Sequence, residues 1–491
     1  MNFIKKNWKI ISIVILGLFL RLYKYDQLFM YGYDQDLAGW VVKDIVIDKH
    51  LRLIGQETST QGIFIGGLFY YLQIPFYLLF KMDPIGVTFL GAILGVIYIA
   101  GIYLTLSKIF SKRVALISSL VYAVSFAFIF NDREIVPTQP VIFWSFILFY
   151  ALAEIIKGKT KKGLLICAVL FSLVWHINFA LILPLPLVVV ALYLSHKKIK
   201  IKEVFLTLMV FVVLSTPLIY FEYRHSFIET KALVTSLTTN QNDIVSGYDK
   251  VIRVYRILSK NFYSIFLPVI NFLKNEYITV LFVVFYLFLF FKRKEYKNYL
   301  LILLFWFLIY FSFFSIYSKR LSEYYLSGIQ FIPVILFSLV IDEFFKVKKW
   351  RIYAQIVVIL FIFISLKRFF TIPINRSYYL ERKALVAEIK RDADSRGFPC
   401  VAVSYITDPG YELGYRYFFW LYGMHVNHPS SGSPVYTIVF PLNDKLFPVD
   451  KTFGALGLIY PDYFRYTKEA VDESCTGENS NLTDPIFGFT K

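Results

Sequence analysis

Long apolar runs alternate with short polar stretches along most of the chain, from residue 10 to residue 366. Read as helices they fall at 10–24, 84–106, 114–130, 139–156, 163–177, 180–195, 203–221, 275–291, 298–316, 324–343 and 351–366. That is about eleven segments, several near the lower limit of about 17–25 residues for a bilayer crossing. The chain is therefore expected to be a polytopic α-helical membrane protein. Residues 62–81 form one further apolar stretch. The Gly62/Gly66/Gly67 cluster and Pro75 make it a poor straight helix, and it is expected to lie in the interface or re-enter on one face.

The polar stretches give the expected orientation. Lys5/Lys6/Lys9, Lys108/Lys112/Arg113, Lys157/Lys159/Lys161/Lys162, Lys197/Lys198/Lys200/Lys202, Lys292/Arg293/Lys294/Lys297 and Lys346/Lys348/Lys349/Arg351 all fall between apolar runs. If all are cytoplasmic, as the positive-inside rule requires, the helices between them pair off. A crossing at 62–81 would break that pairing. The N-terminal run follows three lysines and has no small-residue cleavage site after it, so it reads as a retained helix rather than a removed leader. The opposite face then receives a long first loop at 25–83, the short loop 131–134, a loop at 222–274 and a cluster around 318–325.

After residue 370 the pattern changes. Residues 371–491 are richer in Asp, Glu, Gly, Pro and Ser. An amphipathic helix is expected at 379–396, with strands at 401–405, 436–440 and 456–460. The chain thus divides into a membrane part, 1–370, and a small extracytoplasmic α/β domain, 371–491. The plasma membrane is the expected location, with the N-terminus cytoplasmic and the active site and C-terminal domain outside.

Composition agrees. Hydrophobic residues make up 57% and aromatic residues 19%, with a mean hydropathy of +0.58. The net charge of +18 is accounted for by the inter-helix clusters, which argues against nucleic acid as a partner. Cys167 lies in an apolar run, whereas Cys400 and Cys475 both fall in the tail and are a candidate disulfide.

Candidate chemistry lies on the outer face. Tyr31-Gly32-Tyr33-Asp34-Gln35-Asp36 carries two carboxylates just after the first apolar run. Carboxylates at a membrane face are costly unless compensated. One of them can cap the following helix; the other is a candidate general base. Together they are also the candidate ligands for a divalent cation, Mg or Mn. Asp132 and Glu134 flank Arg133, and either acid could be a second carboxylate. Arg133, His176, Arg224, His225, Lys319, Arg320, Glu323 and Tyr324 are candidates for holding a lipid phosphate, each weighed against an interfacial or solvated role.

These residues, in this order, resemble the GT-C fold glycosyltransferases, in particular the protein O-mannosyltransferase and aminoarabinose-transferase superfamily. Asp34-Gln35-Asp36 resembles the acidic motif of the first outer loop. Gly66-Gly67-Leu68-Phe69-Tyr70-Tyr71-Leu72 resembles the Gly-Pro-Leu-Tyr-Tyr stretch before a membrane-lying helix, with Gly67 where Pro is common. Lys108–Ala115 resembles the basic turn after the second span, and Asp132-Arg133-Glu134 falls where a second acid lies. Trp175–Asn178 and Phe221–His225 are also similar to bacterial members. Leu37-Ala38 stands where an Arg-Asp pair is common. The resemblance covers residues 1–370 and implies an inverting transfer of one sugar from a polyprenyl-phosphate donor to a glycan, lipid or protein acceptor, with Asp34 as base. Rival readings are a polymerase or ligase using diphosphate-linked glycans, a transporter of lipid-linked sugars, and a receptor. A transporter should show an internal repeat and mid-bilayer charges; neither is evident.

Overall fold

The computed structural model describes residues 2–479 apart from 59, 239–246, 269–274, 318–320, 409, 443–446 and 478. The apolar segments of the sequence are largely helical. Helix α1 (Asn2–Leu22) leads to α2 (Tyr33–Val46), the β1–β2 hairpin (Ile54–Glu57, Phe64–Gly66) and α3 (Leu68–Leu79). Then follow α4 (Val87–Ile109), α5 (Lys112–Val124), α6 (Phe126–Arg133), α7 (Val141–Ile156), α8 (Thr160–Ser172), α9 (Val174–Ile177), α10 (Pro186–Ser195), α11 (Ile201–Leu214) and α12 (Thr216–Arg224). The helical part ends with α13 (Ile228–Thr238), α14 (Tyr248–Phe266), α15 (Glu276–Lys292), α16 (Lys297–Ile316), α17 (Phe331–Lys346) and α18 (Arg351–Phe370).

Among the described residues, four helices are long and apolar enough to cross a membrane, or seven if each bent pair is one crossing. That is fewer than the sequence pattern predicts, because several segments are broken. Helices α5 and α6 meet at 62°, and α11 and α12 at 56°. At the second break Pro217 cannot donate to the helical ladder. At the first, Ser125 leaves helical geometry and its hydroxyl donates 2.8 Å to the Ile265 carbonyl. The 62–81 stretch resolves into a hairpin strand and α3. That helix has 12 residues, about 18 Å at 1.5 Å per residue against a hydrocarbon core of about 30 Å, so it is too short to cross. The expected loop 222–274 holds two helices, α13 and α14. Helix α14 escaped the sequence reading because its apolar face (Val254, Leu258, Phe262, Ile265) is interleaved with Lys250, Arg253, Arg256 and Lys260.

The basic stretches meet at one end. The Lys157 ammonium donates to the Lys108 carbonyl, and Lys197 lies against Gly158. Arg113, Arg293 and Lys346 converge on Asp342 at 3.4, 3.2 and 3.1 Å. Lys5, Lys6 and Lys9 open α1, while its other end carries Arg21.

There, Arg21 meets Asp132 of α6 in an ion pair with no solvent exposure on either side chain. Arg21 Nε donates 2.7 Å to Asp132 Oδ2 and Tyr122 donates 2.8 Å to Oδ1. The guanidinium also reaches the Gly17, Ala123 and Tyr122 carbonyls. Gly95 of α4 leaves the room, since a Cβ there would overlap the Arg21 side chain. Four helices are thus drawn together by one pair of charges.

The C-terminal region consists of α19 (Tyr379–Ser395), β3 (Val401–Thr407), α20 (Arg416–Leu421), β4 (Val426–Asn427), β5 (Val435–Phe440), β6 (Lys451–Phe453), β7 (Leu456–Ile459) and α21 (Lys468–Ser474). The sheet order is β4-β3-β5-β7-β6. Strand β3 runs parallel to both of its neighbours, and β7 is antiparallel to β5 and β6. A disulfide joins Cys400 to Cys475. The region shares its core with the first loop: Tyr31, Trp40, Val41 and Tyr77, together with Ile135 after α6, pack in one cluster with Tyr379, Leu385, Tyr417, Phe418 and Ile438.

A second buried carboxylate ties down the β1–β2 hairpin. Glu229 of α13 accepts from the Phe64 N–H and from Trp175 Nε1, both at 3.1 Å. Glu222 accepts at 3.0 Å from the N–H groups of Glu229 and Thr230, capping α13. Burial is the main reason that the Glu229 carboxyl is pushed up to about 8.

Two measurements test this arrangement. Arg21→Met is expected to cost about 3–5 kcal/mol by stranding a buried carboxylate, while Arg21→Met with Asp132→Leu regains much of that loss; thermal unfolding in detergent reads both. Because the folded pKa of Glu229 lies above its ordinary value, its share of stability is present at low pH and is lost as pH rises through about 8. The midpoint of thermal unfolding should fall over that window in the wild type, and Glu229→Gln should remove that limb of the profile.

Candidate active site

Helix α2 carries the acidic motif and shows what each carboxylate does. It starts at Tyr33 because the Gly32 N–H is met by the Gln35 side chain at 3.0 Å, and acids in the first turn suit the positive end of the helix dipole. Residues two apart on a helix point about 200° apart, so Asp34 and Asp36 face nearly opposite sides. Asp36 is 4% exposed. Its Oδ1 accepts from the Tyr417 N–H and the Tyr31 hydroxyl, each at 3.1 Å. Burial pushes its carboxyl up to about 6, against the pull of those two donors and of Arg416 and Arg382. Asp36 is an anchor to the C-terminal region, and this corrects the expectation of a joint acidic pair. The two aspartates point to nearly opposite sides of the helix, and the described residues contain no group of three or more His, Cys, Asp or Glu side chains able to hold a metal.

Asp34 is half-buried and makes no side-chain hydrogen bond or ion pair among the described residues. Burial raises its carboxyl above the usual range. Two groups feel its charge. Tyr70 of α3 is fully buried, and its hydroxyl, which accepts 3.1 Å from the Gln56 N–H, is raised by burial and then by Asp34. Glu134, the residue that closes α6, keeps solvent access while protein surrounds it on most sides; its carboxyl is raised by burial and then by Asp34. The repulsion between two carboxylates is mutual, so each makes the other more basic.

The 131–134 loop therefore divides its charges. Asp132 is consumed by Arg21. Arg133 Nη1 donates to the Leu20 and Tyr23 carbonyls at 3.1 and 2.9 Å, and Nη2 to that of Lys24 at 3.2 Å. It closes the C-terminal end of α1 and does not offer a free fork to a phosphate, contrary to expectation. Glu134 alone is brought to Asp34.

The remaining candidates lie in two places. His176 Nδ1 accepts 3.4 Å from the Leu68 N–H, at the start of α3 behind the hairpin. His225 bonds through Nδ1 to the Phe221 carbonyl at 2.9 Å and stacks on the Phe221 ring, beside the exposed Arg224. Across the molecule, Glu323 pairs with Lys260 of α14 at 2.6 Å, and the Tyr324 ring lies 4.6 Å from that of Tyr325. Arg253 of α14 donates 3.2 Å to the Tyr317 carbonyl, next to this group. Lys319 and Arg320 lie outside the described residues.

The sequence reading missed Arg21, Glu229 and Tyr417. Arg21 and Tyr417 were hidden by distance along the chain, since their partners lie 111 and 381 positions away. The one available signal for Arg21 was its place in an outer helix end, against the positive-inside trend.

Comparison with known proteins follows the same lines. Residues 67–221 match the sequence profile of the dolichyl-phosphate-mannose-protein mannosyltransferase family. Curated protein sequences yield no match. The structure superposes on ArnT from Cupriavidus metallidurans bound to undecaprenyl phosphate with a TM-score of 0.59 and 11% identity, over 92% of this chain and 97% of that one. The apo form of that protein gives 0.57 at 11% identity, over 93% and 98%. The apo oligosaccharyltransferase of Archaeoglobus fulgidus gives 0.51 at 11% identity, over 89% and 70%. The chain has the fold of the GT-C glycosyltransferases that these structures represent.

Proposed function

We propose that this protein is a membrane glycosyltransferase that moves a single sugar from a polyprenyl-phosphate donor to an acceptor hydroxyl, with inversion, on the extracytoplasmic side. The observation that carries the reading is the meeting of Asp34 and Glu134. The charge of Asp34 is felt at Glu134, in a distant part of the chain, and neither carboxylate makes a side-chain hydrogen bond or ion pair among the described residues. Uncommitted, mutually repelling carboxylates at the end of a helical membrane bundle are a cost without chemistry to perform.

The chemistry follows from the donor. Its anomeric carbon already carries a phosphate leaving group. Asp34 takes the proton of the acceptor hydroxyl as the oxygen attacks that carbon from the side opposite the phosphate. The new glycosidic bond forms as the bond to the phosphate oxygen breaks, releasing polyprenyl phosphate. Asp34 suits the task because burial raises its basicity, bringing it closer to neutral pH. Arg224, and on the other side of the molecule Arg253, are the candidates among the described residues to receive the phosphate charge, and Lys319 and Arg320 remain candidates from the sequence. The gathering of the basic stretches at the opposite end and the disulfide in the C-terminal domain support the proposed orientation.

The test is release of free polyprenyl phosphate from a panel of polyprenyl-phosphate sugars, with wild type and Asp34→Asn at equal folded amounts. Release by the wild type and a loss of about 10²–10⁴-fold in Asp34→Asn are expected. Release only from diphosphate-linked glycans would favour a polymerase or ligase instead. The turnover of the wild type should fall on acidification, with its midpoint above the ordinary carboxylate range. Glu134→Gln should move that midpoint to lower pH, since it removes the neighbouring negative charge.

A further inference from the structure

We propose that Tyr417, in the C-terminal domain, is a positioning residue that sets the orientation of Asp34. The proposal rests on the reading of Asp34 as the base. Tyr417 is fully buried and touches three separate parts of the first loop. Its N–H donates 3.1 Å to Asp36 on α2. Its hydroxyl donates 2.8 Å to the Met82 carbonyl, in the turn after α3. Its ring lies flush on α2 at Gly39, where a Cβ would come within 2.7 Å of a ring carbon. The same ring meets Trp40 and Tyr77 edge-on at 6.4 and 5.9 Å.

The other ring contacts that α2 makes on that side come from the same region: Trp420 lies 6.4 Å from Trp40, and Arg416 lies over the Trp40 ring at 5.5 Å. Asp36 has one further donor, Tyr31, and that ring is itself held 4.7 Å from Phe418 of the C-terminal domain. The charged groups facing Asp36, Arg416 and Arg382, also belong to that domain. A second clasp beside Met82 points the same way: Asp83 accepts 2.7 Å from the Tyr379 hydroxyl and pairs with Lys383. Asp34 lies two residues before Asp36 on one continuous helix, so any roll of α2 about its axis displaces the carboxyl that faces Glu134. The C-terminal domain grips one side of the helix, and the base projects from the other. A displacement of about 1 Å at a reacting group can cost about 10²-fold in rate.

The experiment compares full-length wild type, Gly39→Ala, Tyr417→Ala and Tyr417→Phe in nanodiscs. It measures kcat and donor KM for sugar transfer together with amide hydrogen exchange across residues 33–46. Gly39→Ala and Tyr417→Ala are expected to lower kcat by about 10–100-fold with donor KM nearly unchanged, and to speed exchange in α2. Tyr417→Phe keeps the ring and the N–H to Asp36 and should restore most of kcat. Should Tyr417→Ala fail to fold, Gly39→Ala decides alone. Wild-type kcat in Gly39→Ala would overturn the proposal, as would a fall in kcat with α2 exchange unchanged. Wild-type turnover in Asp34→Asn is a separate failure: it would remove the base itself, and the positioning role with it.

Discussion

The buried pair of Arg21 and Asp132 is the constraint on which the rest of the bundle depends. Two charges removed from water are stable only when their remaining donors and lone pairs are met. Here Tyr122 and three backbone carbonyls meet them, and the geometry that allows this admits one arrangement of α1, α4, α5 and α6. Arg133, next in sequence, extends the constraint by closing the end of α1 with three more hydrogen bonds. The end of α6 is therefore fixed against the end of α1, and Glu134 is fixed with it.

Helix α2 meets that fixed point from the other side. Its first turn carries two acids that the helix period sends in opposite directions, and the protein uses them in opposite ways. Asp36 accepts two hydrogen bonds on one carboxylate oxygen and becomes part of the core shared with the C-terminal region. Among the described residues Asp34 has no side-chain donor, and burial raises its basicity. A carboxylate that accepts several hydrogen bonds is a poor base, since each bond favours the charged form. The separation of duties between the two aspartates is thus a consequence of where each points.

The helical segments and the change of character near residue 370 were legible in the sequence because long apolar runs and their basic ends have few alternative explanations. The breaks were not. Ser125 interrupts its helix through a hydrogen bond to a carbonyl 140 residues away, and no local pattern encodes that. Helix α14 was read as loop because its cationic face masks a stripe that is apolar only at every third or fourth position. Within the site, the acidic motif and the 131–134 loop were both visible, but the choice between Asp132 and Glu134 depended on Arg21. Two acids two positions apart at a helix end differ by about 200° in direction, and only the position of a remote guanidinium decides which one is consumed.

That dependence carries a general point about carboxylates at the face of a membrane bundle. Their number says little about chemistry, because most are neutralised in place: Asp132 by Arg21, Glu229 by two N–H donors, Asp83 by Lys383 and Tyr379. What separates Asp34 and Glu134 from these is that the fold holds them near each other without satisfying either. A structural role would favour burying such groups with partners or replacing them by apolar residues of similar volume. Asp34, half-buried and without a side-chain partner among the described residues, is the carboxylate whose missing partner the proposed function assigns to the acceptor hydroxyl, while solvent reaches Glu134.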